Sequence, residues 1–218
     1  MHVGRQDAQE RCAWVVAGAR SGAGRALLVV GEPGAGKTTL LDQALAADAA
    51  VVLRCTGVPV EKTLPHSGLH ALLRPLAGLL PALPGVQRVA LEVALGLAAG
   101  PAPTPFLVGA AVLSLLAAQA EQSAVVVVAD DAQWIDEASV NAVAFAARRL
   151  GEERIGMLLA ARCSEVPEAL TGLPRCELGP LSADEAARVV GAPVAPELLA
   201  SVRGNALALV EGVYARPV

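Results

Sequence analysis

Short runs of apolar residues recur along the chain, and segments of helical length separate them. The runs do not alternate with polar residues, which is typical of strands buried on both faces of a sheet. Four runs occupy residues 26–30, 51–55, 124–129 and 155–161, and residues 176–178 predict a short fifth strand. Helix candidates lie at residues 37–47, 68–80, 86–97, 106–121 and 137–150. This alternation predicts an α/β fold with a parallel sheet and right-handed crossovers.

The pattern changes after Pro180, where only helical periodicity continues. Helix candidates there are residues 182–190, 196–202 and 205–214. Ser182, followed three residues later by Glu185, is the signature of a capping box at a helix start. We therefore predict two parts: a domain of residues 1–180 and a small helical segment of residues 181–218.

The composition narrows the class of protein. Of the 218 residues, 54% are hydrophobic but only 2% are aromatic, so alanine, valine and leucine must fill the core. The net charge is −4 and the chain has only two lysines, which argues against direct nucleic-acid binding by this segment.

Membrane and secreted classes are also disfavoured. The longest apolar stretch, residues 106–120, is shorter than the ~20 residues that span a bilayer, and indicates a buried helix. Charged residues follow the N-terminus directly, unlike a secretory signal, and the cysteines form no Cys-x-x-Cys pair. We expect a cytoplasmic protein with reduced, mostly buried thiols and no membrane partner.

A glycine-rich segment follows the first predicted strand and fits the pattern Gly-x-x-x-x-Gly-Lys-Ser/Thr at every position. Glycines let successive backbone N–H groups turn toward phosphate oxygens, and the following helix N-terminus adds positive potential. Lys37 would reach the β- and γ-phosphates and Thr38 would bind magnesium. The alternative is a glycine-rich turn that contains a lysine by chance. The predicted ATP- or ADP-binding residues are Gly31, Glu32, Pro33, Gly34, Ala35, Gly36, Lys37, Thr38 and Thr39.

Two carboxylates, Asp130 and Asp131, end the most valine-rich strand. Adjacent carboxylates at the end of a parallel strand repel each other unless a cation is near. We predict that Asp130 binds Mg²⁺ together with Thr38, and that Asp131 polarises the attacking water. The alternative is a solvated Asp-Asp turn. Arg162 also follows a strand end, where it could contact the γ-phosphate or simply lie on the surface.

These residues resemble a known family. The chain resembles the STAND class of AAA+-related P-loop ATPases, and most closely the N-terminal nucleotide-binding domain of large ATP-binding LuxR-type transcriptional regulators. The stretches that carry the resemblance are residues 3–5, 31–39, 69–75, 130–136, 145–150, 158–162 and 204–209. The Asp-Asp-x-x-Trp-x-Asp element at residues 130–136 is more specific than a phosphate loop alone.

The resemblance implies a fold and several residue roles. It implies a five-stranded parallel sheet in the order 5-1-4-3-2, with helices on both sides and a helical lid fragment behind. Val3, Gly4 and Arg5 would border the adenine, and Arg162 would be the sensor of the γ-phosphate. Residues 204–209 would close on the base. The family usually carries proline where this chain has Ala206, so we expect the base to be held loosely.

Other positions have two interpretations. Trp134 and Asp136 belong to the family element, but helix capping and packing would equally account for them. Arg148 and Arg149 could act as arginine fingers on a neighbouring subunit, implying self-association in the ATP state. Alternatively they form a basic helix C-terminus favoured by the helix dipole.

The favoured function is ATP binding with slow Mg²⁺-dependent hydrolysis, serving as a nucleotide switch. The predicted catalytic residues are Asp131, Lys37 and Arg162. One alternative is a regulatory module that binds ATP or ADP without hydrolysis, and another is a P-loop kinase of a small acceptor. Regulators of the LuxR type continue into a C-terminal helix-turn-helix, so this chain is expected to be either a fragment or a free-standing domain.

Overall fold

A five-stranded parallel sheet forms the centre of the molecule in a computed structural model that describes residues 5–45 and 50–214. Its strands are β1 (Arg25–Gly31), β2 (Val51–Thr56), β3 (Val125–Asp130), β4 (Ile155–Ala161) and β5 (Arg175–Leu178). Neighbouring strands follow the order β2-β3-β4-β1-β5, and every pair is parallel. This order is the predicted 5-1-4-3-2 read from the opposite edge, so the predicted fold class is confirmed.

Helices cover both faces of the sheet. They are α1 (Gln6–Ser21), α2 (Lys37–Leu45), α3 (Ser67–Leu73), α4 (Gly85–Ala94), α5 (Pro105–Gln122), α6 (Glu137–Ala147), α7 (Ala183–Val190), α8 (Pro196–Ser201) and α9 (Ala206–Tyr214). Successive strand residues point to opposite faces. Leu27 and Val29 of β1 therefore pack with α1 and α2, whereas Leu28 and Val30 pack with α3 to α6.

Small aliphatic side chains fill this core, as the composition predicts. All four valines of β3 are completely buried, and so is nearly all of β4. Both strands lie in the middle of the sheet and are covered on both faces, which explains their continuous apolar sequences.

The edge strand β2 departs from the prediction that its run is buried on both faces. Val52, Arg54 and Thr56 are exposed, while Leu53 and Cys55 are buried. Helices α3 to α6 cover only the face that carries Leu53 and Cys55. The prediction was wrong here because an apolar run does not distinguish an edge strand from a central one.

Two helices also differ from expectation. The single helix predicted over residues 68–80 divides into α3 and a 3₁₀ segment, Arg74–Ala82. Pro75 explains the break, because proline has no N–H group to continue the α-helical hydrogen bonds. Helix α1 was not predicted, although Cys12, Val15 and Ala19 are buried at helical spacing.

Helix α5 lies within the core, as predicted for residues 106–120. By length and composition it could cross a membrane, a test that core helices of soluble proteins also pass. Its buried side, which includes Val108, Val112 and Leu115, packs against the sheet and neighbouring helices.

The C-terminal helices surround a small hydrophobic cluster of their own, made by Leu181, Ala186 and Leu209 with partly buried neighbours. The predicted capping box is confirmed: the Glu185 N–H donates to Ser182 Oγ over 3.3 Å, and the Ser182 N–H donates to Glu185 Oε2 over 2.8 Å. The boundary near residue 180 stays a prediction.

Candidate nucleotide-binding site

The glycine-rich segment forms a turn between β1 and α2. Gly34 and Gly36 have φ angles of +76° and +90°, a region that glycine occupies without strain. No atom outside the neighbouring residues lies within 4 Å of the position that a Cβ would take at Gly36. The backbone is therefore open at Gly36, directly ahead of α2, as phosphate binding requires, whereas at Gly34 the side chains of Asn205 and Leu207 lie against the loop.

Lys37 begins α2 and turns its side chain back onto this loop. Its Nζ donates to the carbonyl oxygens of Gly31 at 2.9 Å and Glu32 at 3.1 Å, and the residue is only 7% exposed. Burial lowers the pKa of Lys37, while the nearby carboxylates of Asp131 and Asp130 act in the opposite direction. The ammonium group thus lies between the loop and the two acids.

Asp130 is the last residue of β3 and is only 2% exposed. Its Oδ1 accepts from the Asp131 N–H at 2.9 Å, and its Oδ2 lies 3.5 Å from Arg54 Nη2. Arg54 reaches it from the exposed face of β2 and also pairs with Asp42 of α2. The repulsion expected between the adjacent carboxylates is therefore partly balanced by a cation of the chain itself.

Asp131 leaves the line of the strand through a left-handed backbone conformation, with φ 48° and ψ 46°. Aspartate is among the few non-glycine residues that adopt this region readily. Asp131 lies at the wall of a cleft beside the phosphate loop. Its Oδ1 accepts a 2.8 Å hydrogen bond from Gln133 Nε2, so its orientation is fixed by a neighbouring side chain.

Arg162 follows β4 and lines the same cleft. Its Nη1 is 3.2 Å from Glu165 Oε1, and the guanidinium carbon lies 5.4 Å from the centre of a Trp134 ring. Its backbone N–H donates to Gln133 Oε1 over 3.1 Å. The predicted sensor therefore borders the cleft while its guanidinium group forms an ion pair with its own segment.

The cleft has a volume of about 450 Å³ and unites most of the predicted site residues. Those at its wall are Arg5, Pro33, Gly34, Ala35, Gly36, Lys37, Thr38, Thr39, Asp131 and Arg162. Gly31, Glu32 and Asp130 are not at its wall. Gly31 and Glu32 contribute carbonyls to Lys37, and the Glu32 carboxylate accepts from the thiol of Cys163. Val3 and Gly4 lie outside the described residues.

Arg5 connects three parts of the chain at the edge of this cleft. Its guanidinium group donates to the Ala35 carbonyl of the phosphate loop and, over 2.7 Å, to the Gly179 carbonyl. Its backbone N–H donates to Glu185 over 2.9 Å. Arg5 thus holds the start of the chain against both the loop and α7.

The C-terminal segment supplies an apolar wall, of which only Ala206 and Leu207 lie within residues 204–209, the stretch expected to close on the base. It is made by Leu181, Val189, Ala206, Leu207 and Val210. Two hydrogen bonds join this wall to the loop: Asn205 Nδ2 donates to Pro33 O over 2.7 Å, and the Leu207 N–H donates to Gly34 O over 3.1 Å. The helical spacing of Leu207 and Val210 indicates an apolar face, but periodicity alone cannot tell whether that face turns to the core or to a ligand.

Asp136 caps a helix, and Arg148 and Arg149 contact groups of their own chain. Asp136 caps α6, accepting from the Ser139 N–H over 2.9 Å. Arg148 donates to the Ala144 and Ala169 carbonyls. Arg149 donates to the Phe145 carbonyl over 3.0 Å, and its guanidinium carbon lies 3.7 Å from the centre of the Phe145 ring. Both arginines are therefore engaged within this chain at the C-terminal end of α6.

Magnesium fits the oxygen donors that the structure offers. Thr38 lines the cleft, and Asp130 provides a buried carboxylate at the end of β3. Within residues 5–45 and 50–214 there is no group of three histidine, cysteine, aspartate or glutamate side chains that could bind a metal. Mg²⁺ needs no such group, because it usually binds through one or two protein oxygens, water and the phosphates.

Comparison with known proteins decides the family. A family model described as "AAA ATPase domain" matches residues 2–160. The chain belongs to this AAA ATPase family. Domains of this family generally bind ATP or ADP with Mg²⁺, so the cleft at the phosphate loop is where a nucleotide is expected.

A solved structure supports the same fold. A chain in "Structure of Drosophila ORC bound to DNA" matches with a TM-score of 0.55 and 15% identity, covering 94% of this chain and 53% of that one. This AAA ATPase domain thus spans about half the length of that relative, and the likeness shows the fold alone. No curated protein matches the chain.

Proposed function

We propose that this chain binds ATP with Mg²⁺, hydrolyses it slowly and acts as a nucleotide switch. One observation carries the proposal: the phosphate loop, Asp131, Arg162 and apolar residues of the C-terminal helices all line a single cleft. Such a cleft supplies groups for the phosphates on one side and an apolar surface for the base on the other.

Each residue has a role that follows from its position. The backbone N–H groups of the loop and the Lys37 ammonium would hold the phosphates, while Thr38 and Asp130 would hold Mg²⁺. The metal, when bound, neutralises charge on the phosphate oxygens. Asp131 would orient and deprotonate the attacking water, and Arg162 would contact the γ-phosphate after leaving Glu165.

Slow hydrolysis is expected because two contributors to fast phosphoryl transfer are engaged elsewhere. Arg162 pairs with Glu165, Arg148 donates to the carbonyls of Ala144 and Ala169, and Arg149 donates to that of Phe145. An arginine at the transferred phosphate is worth about 10³ to 10⁵ in rate. A long-lived ATP state also suits a switch, because a partner has time to recognise it.

The C-terminal helices are the proposed moving part of the switch. They bond to the loop at Pro33 and Gly34, so a change in loop conformation on nucleotide binding would act on them directly. We propose residues 181–218 as a lid fragment attached to the ATPase domain of residues 1–180. The resemblance suggests that the switch serves a cytoplasmic LuxR-type transcriptional regulator, with self-association in the ATP state.

Steady-state phosphate release at saturating ATP and Mg²⁺ tests the proposal. The monomer is expected to release phosphate without any acceptor, at a rate well below the ~10 per second median for enzymes. Many turnovers per second would contradict the switch. ATP binding without phosphate release would favour the non-hydrolysing module, and release only with an added acceptor would favour the kinase. Strong acceleration with protein concentration would assign Arg148 or Arg149 a role across a subunit interface.

A further inference from the structure

Gln133 is a buried polar residue to which the function proposed above assigns no task. It lies in the short 3₁₀ turn Ala132–Trp134 after the two carboxylates and is only 2% exposed. A buried amide is costly unless both of its ends are hydrogen-bonded. The partners of Gln133 therefore show what it is there to do.

Both ends of the Gln133 amide bond to residues at the nucleotide cleft. Its Nε2 donates to Asp131 Oδ1 over 2.8 Å, and its Oε1 accepts from the backbone N–H of Arg162 over 3.1 Å. The first bond fixes the carboxylate proposed to act on water. The second attaches that carboxylate to the segment carrying the proposed γ-phosphate sensor.

Asp131 needs such a support because its own backbone does not settle the direction of its carboxylate. The residue stands at a left-handed turn after β3, and its Oδ1 accepts from Gln133. A general base loses efficiency when its carboxylate rotates away from the attacking water. A donor held rigidly in the core prevents that rotation.

We propose that Gln133 is a positioning residue that sets the orientation of the Asp131 carboxylate and couples it to the backbone at Arg162. Gln133 itself does not line the cleft. A shift of the Arg162 segment toward a γ-phosphate would pull on Gln133, and Gln133 would realign Asp131. The kinetic consequence rests on the proposed ATPase function, whereas the contact itself does not.

Kinetics of Gln133→Glu separate positioning from packing. The new carboxylate can still accept from the Arg162 N–H, but it replaces the donor to Asp131 with a repelling charge. We expect kcat to fall about tenfold to a hundredfold, the range for losing a hydrogen bond to a charged group, while ATP affinity stays within about threefold. The control is Gln122→Glu, which adds the same charge at the exposed end of α5 and should match the wild type.

A swapped pair tests the contact by stability rather than turnover. In the double variant Asp131→Asn with Gln133→Glu, the new asparagine can donate to the new glutamate, so the melting temperature lost in Gln133→Glu should be regained. Turnover should not return, because the water-activating carboxylate is gone. If the double variant instead loses as much stability as the two single variants together, the side chains do not interact, and the proposal would be overturned.

Nuclear magnetic resonance supplies a readout that needs no hydrolysis. The side-chain amide signal of Gln133, assigned by its absence in Gln133→Glu, should shift and exchange faster with solvent in Asp131→Ala. An unchanged signal would overturn the proposal even if the wild type hydrolyses ATP.

A wild type that releases no phosphate would instead refute the proposed function, and the amide signal and the swapped pair would still decide the role of Gln133. Unchanged kcat in Gln133→Glu, with active wild type, would also overturn it.

Discussion

The two ends of one short segment, residues 130–136, carry the same residue type in opposite roles. At one end, Asp131 lies at the cleft wall and its Oδ1 accepts from the side chain of Gln133. At the other end, Asp136 is 2% exposed and accepts from four donors: His66 N–H at 2.8 Å, Ser67 Oγ at 3.3 Å, Gly68 N–H at 3.0 Å and Ser139 N–H at 2.9 Å. The first carboxylate is available for chemistry, and the second is saturated.

The saturated carboxylate holds two helices together. Asp136 caps α6 and also binds the backbone at the start of α3, where a Cβ on Gly68 would come within 2.6 Å of Ile135. Burial by itself raises the pKa of Asp136, but the hydrogen bonds from Ser139, Gly68 and His66 outweigh it and lower the pKa. The comparison teaches that the donors around an acid, rather than its membership of a motif, decide its role.

Asp131→Asn gives the largest effect expected from this comparison. The substitution removes the proposed base while keeping the size of the side chain. We expect kcat for ATP hydrolysis to fall about a hundredfold to a thousandfold, with ATP affinity and melting temperature nearly unchanged. Phosphate release and thermal unfolding measure the two quantities. A large loss of stability with normal turnover of the folded protein would mean that Asp131 has a structural role, like the one assigned to Asp136.

Asp130→Asn sharpens the same test, because Asp130 is assigned to the metal rather than to water. The Mg²⁺ concentration needed for half-maximal ATP binding should rise by about tenfold, corresponding to ~1.4 kcal/mol. Titration of Mg²⁺ at fixed ATP measures it. If Asp130→Asn loses only turnover while Asp131→Asn loses the magnesium dependence, the two assignments must be exchanged.

Asp136→Ala should act on folding and spare the chemistry. It leaves the backbone N–H groups of His66, Gly68 and Ser139 without their acceptor, so we expect a loss of about 2 to 3 kcal/mol in the free energy of unfolding. Chemical denaturation measures the loss, and calorimetry should find ATP affinity preserved in the folded variant. A stable variant that no longer binds ATP would give Asp136 a role at the cleft.

Much of this arrangement could be predicted from the sequence. The unbroken run of valines in β3 predicts a strand buried on both faces. The glycines of the phosphate loop predict a turn with positive φ angles, because glycine adopts these without strain. The edge position of β2 and the apolar wall at Val189 and Val210 could not be predicted, because they depend on which surface a helix or strand meets. The partners of Gln133 could not be predicted either: Asp131 is two residues away and Arg162 is 29 residues away, and nothing in the sequence indicates that one glutamine contacts both.

The acid stability of Asp136→Asn should show the smallest effect in this series. Because folding lowers the pKa of Asp136 from its ordinary value of 3.8, its contribution is complete above that value and disappears as the pH falls through the folded pKa. The difference in unfolding free energy between wild type and Asp136→Asn should therefore be constant at neutral pH and shrink below about pH 4. Denaturation curves across this range check it; a difference that grows on acidification would contradict the pKa direction.

The central claim is that the loop beginning at Gly31 binds the phosphates of ATP through Lys37. Calorimetric titration of ATP into the wild type and into Lys37→Ala tests it most directly, with melting temperatures to confirm that both proteins are folded. The account predicts binding to the wild type and at least a tenfold loss in Lys37→Ala, about 1.4 kcal/mol. Equal ATP affinity in the two folded proteins would contradict it.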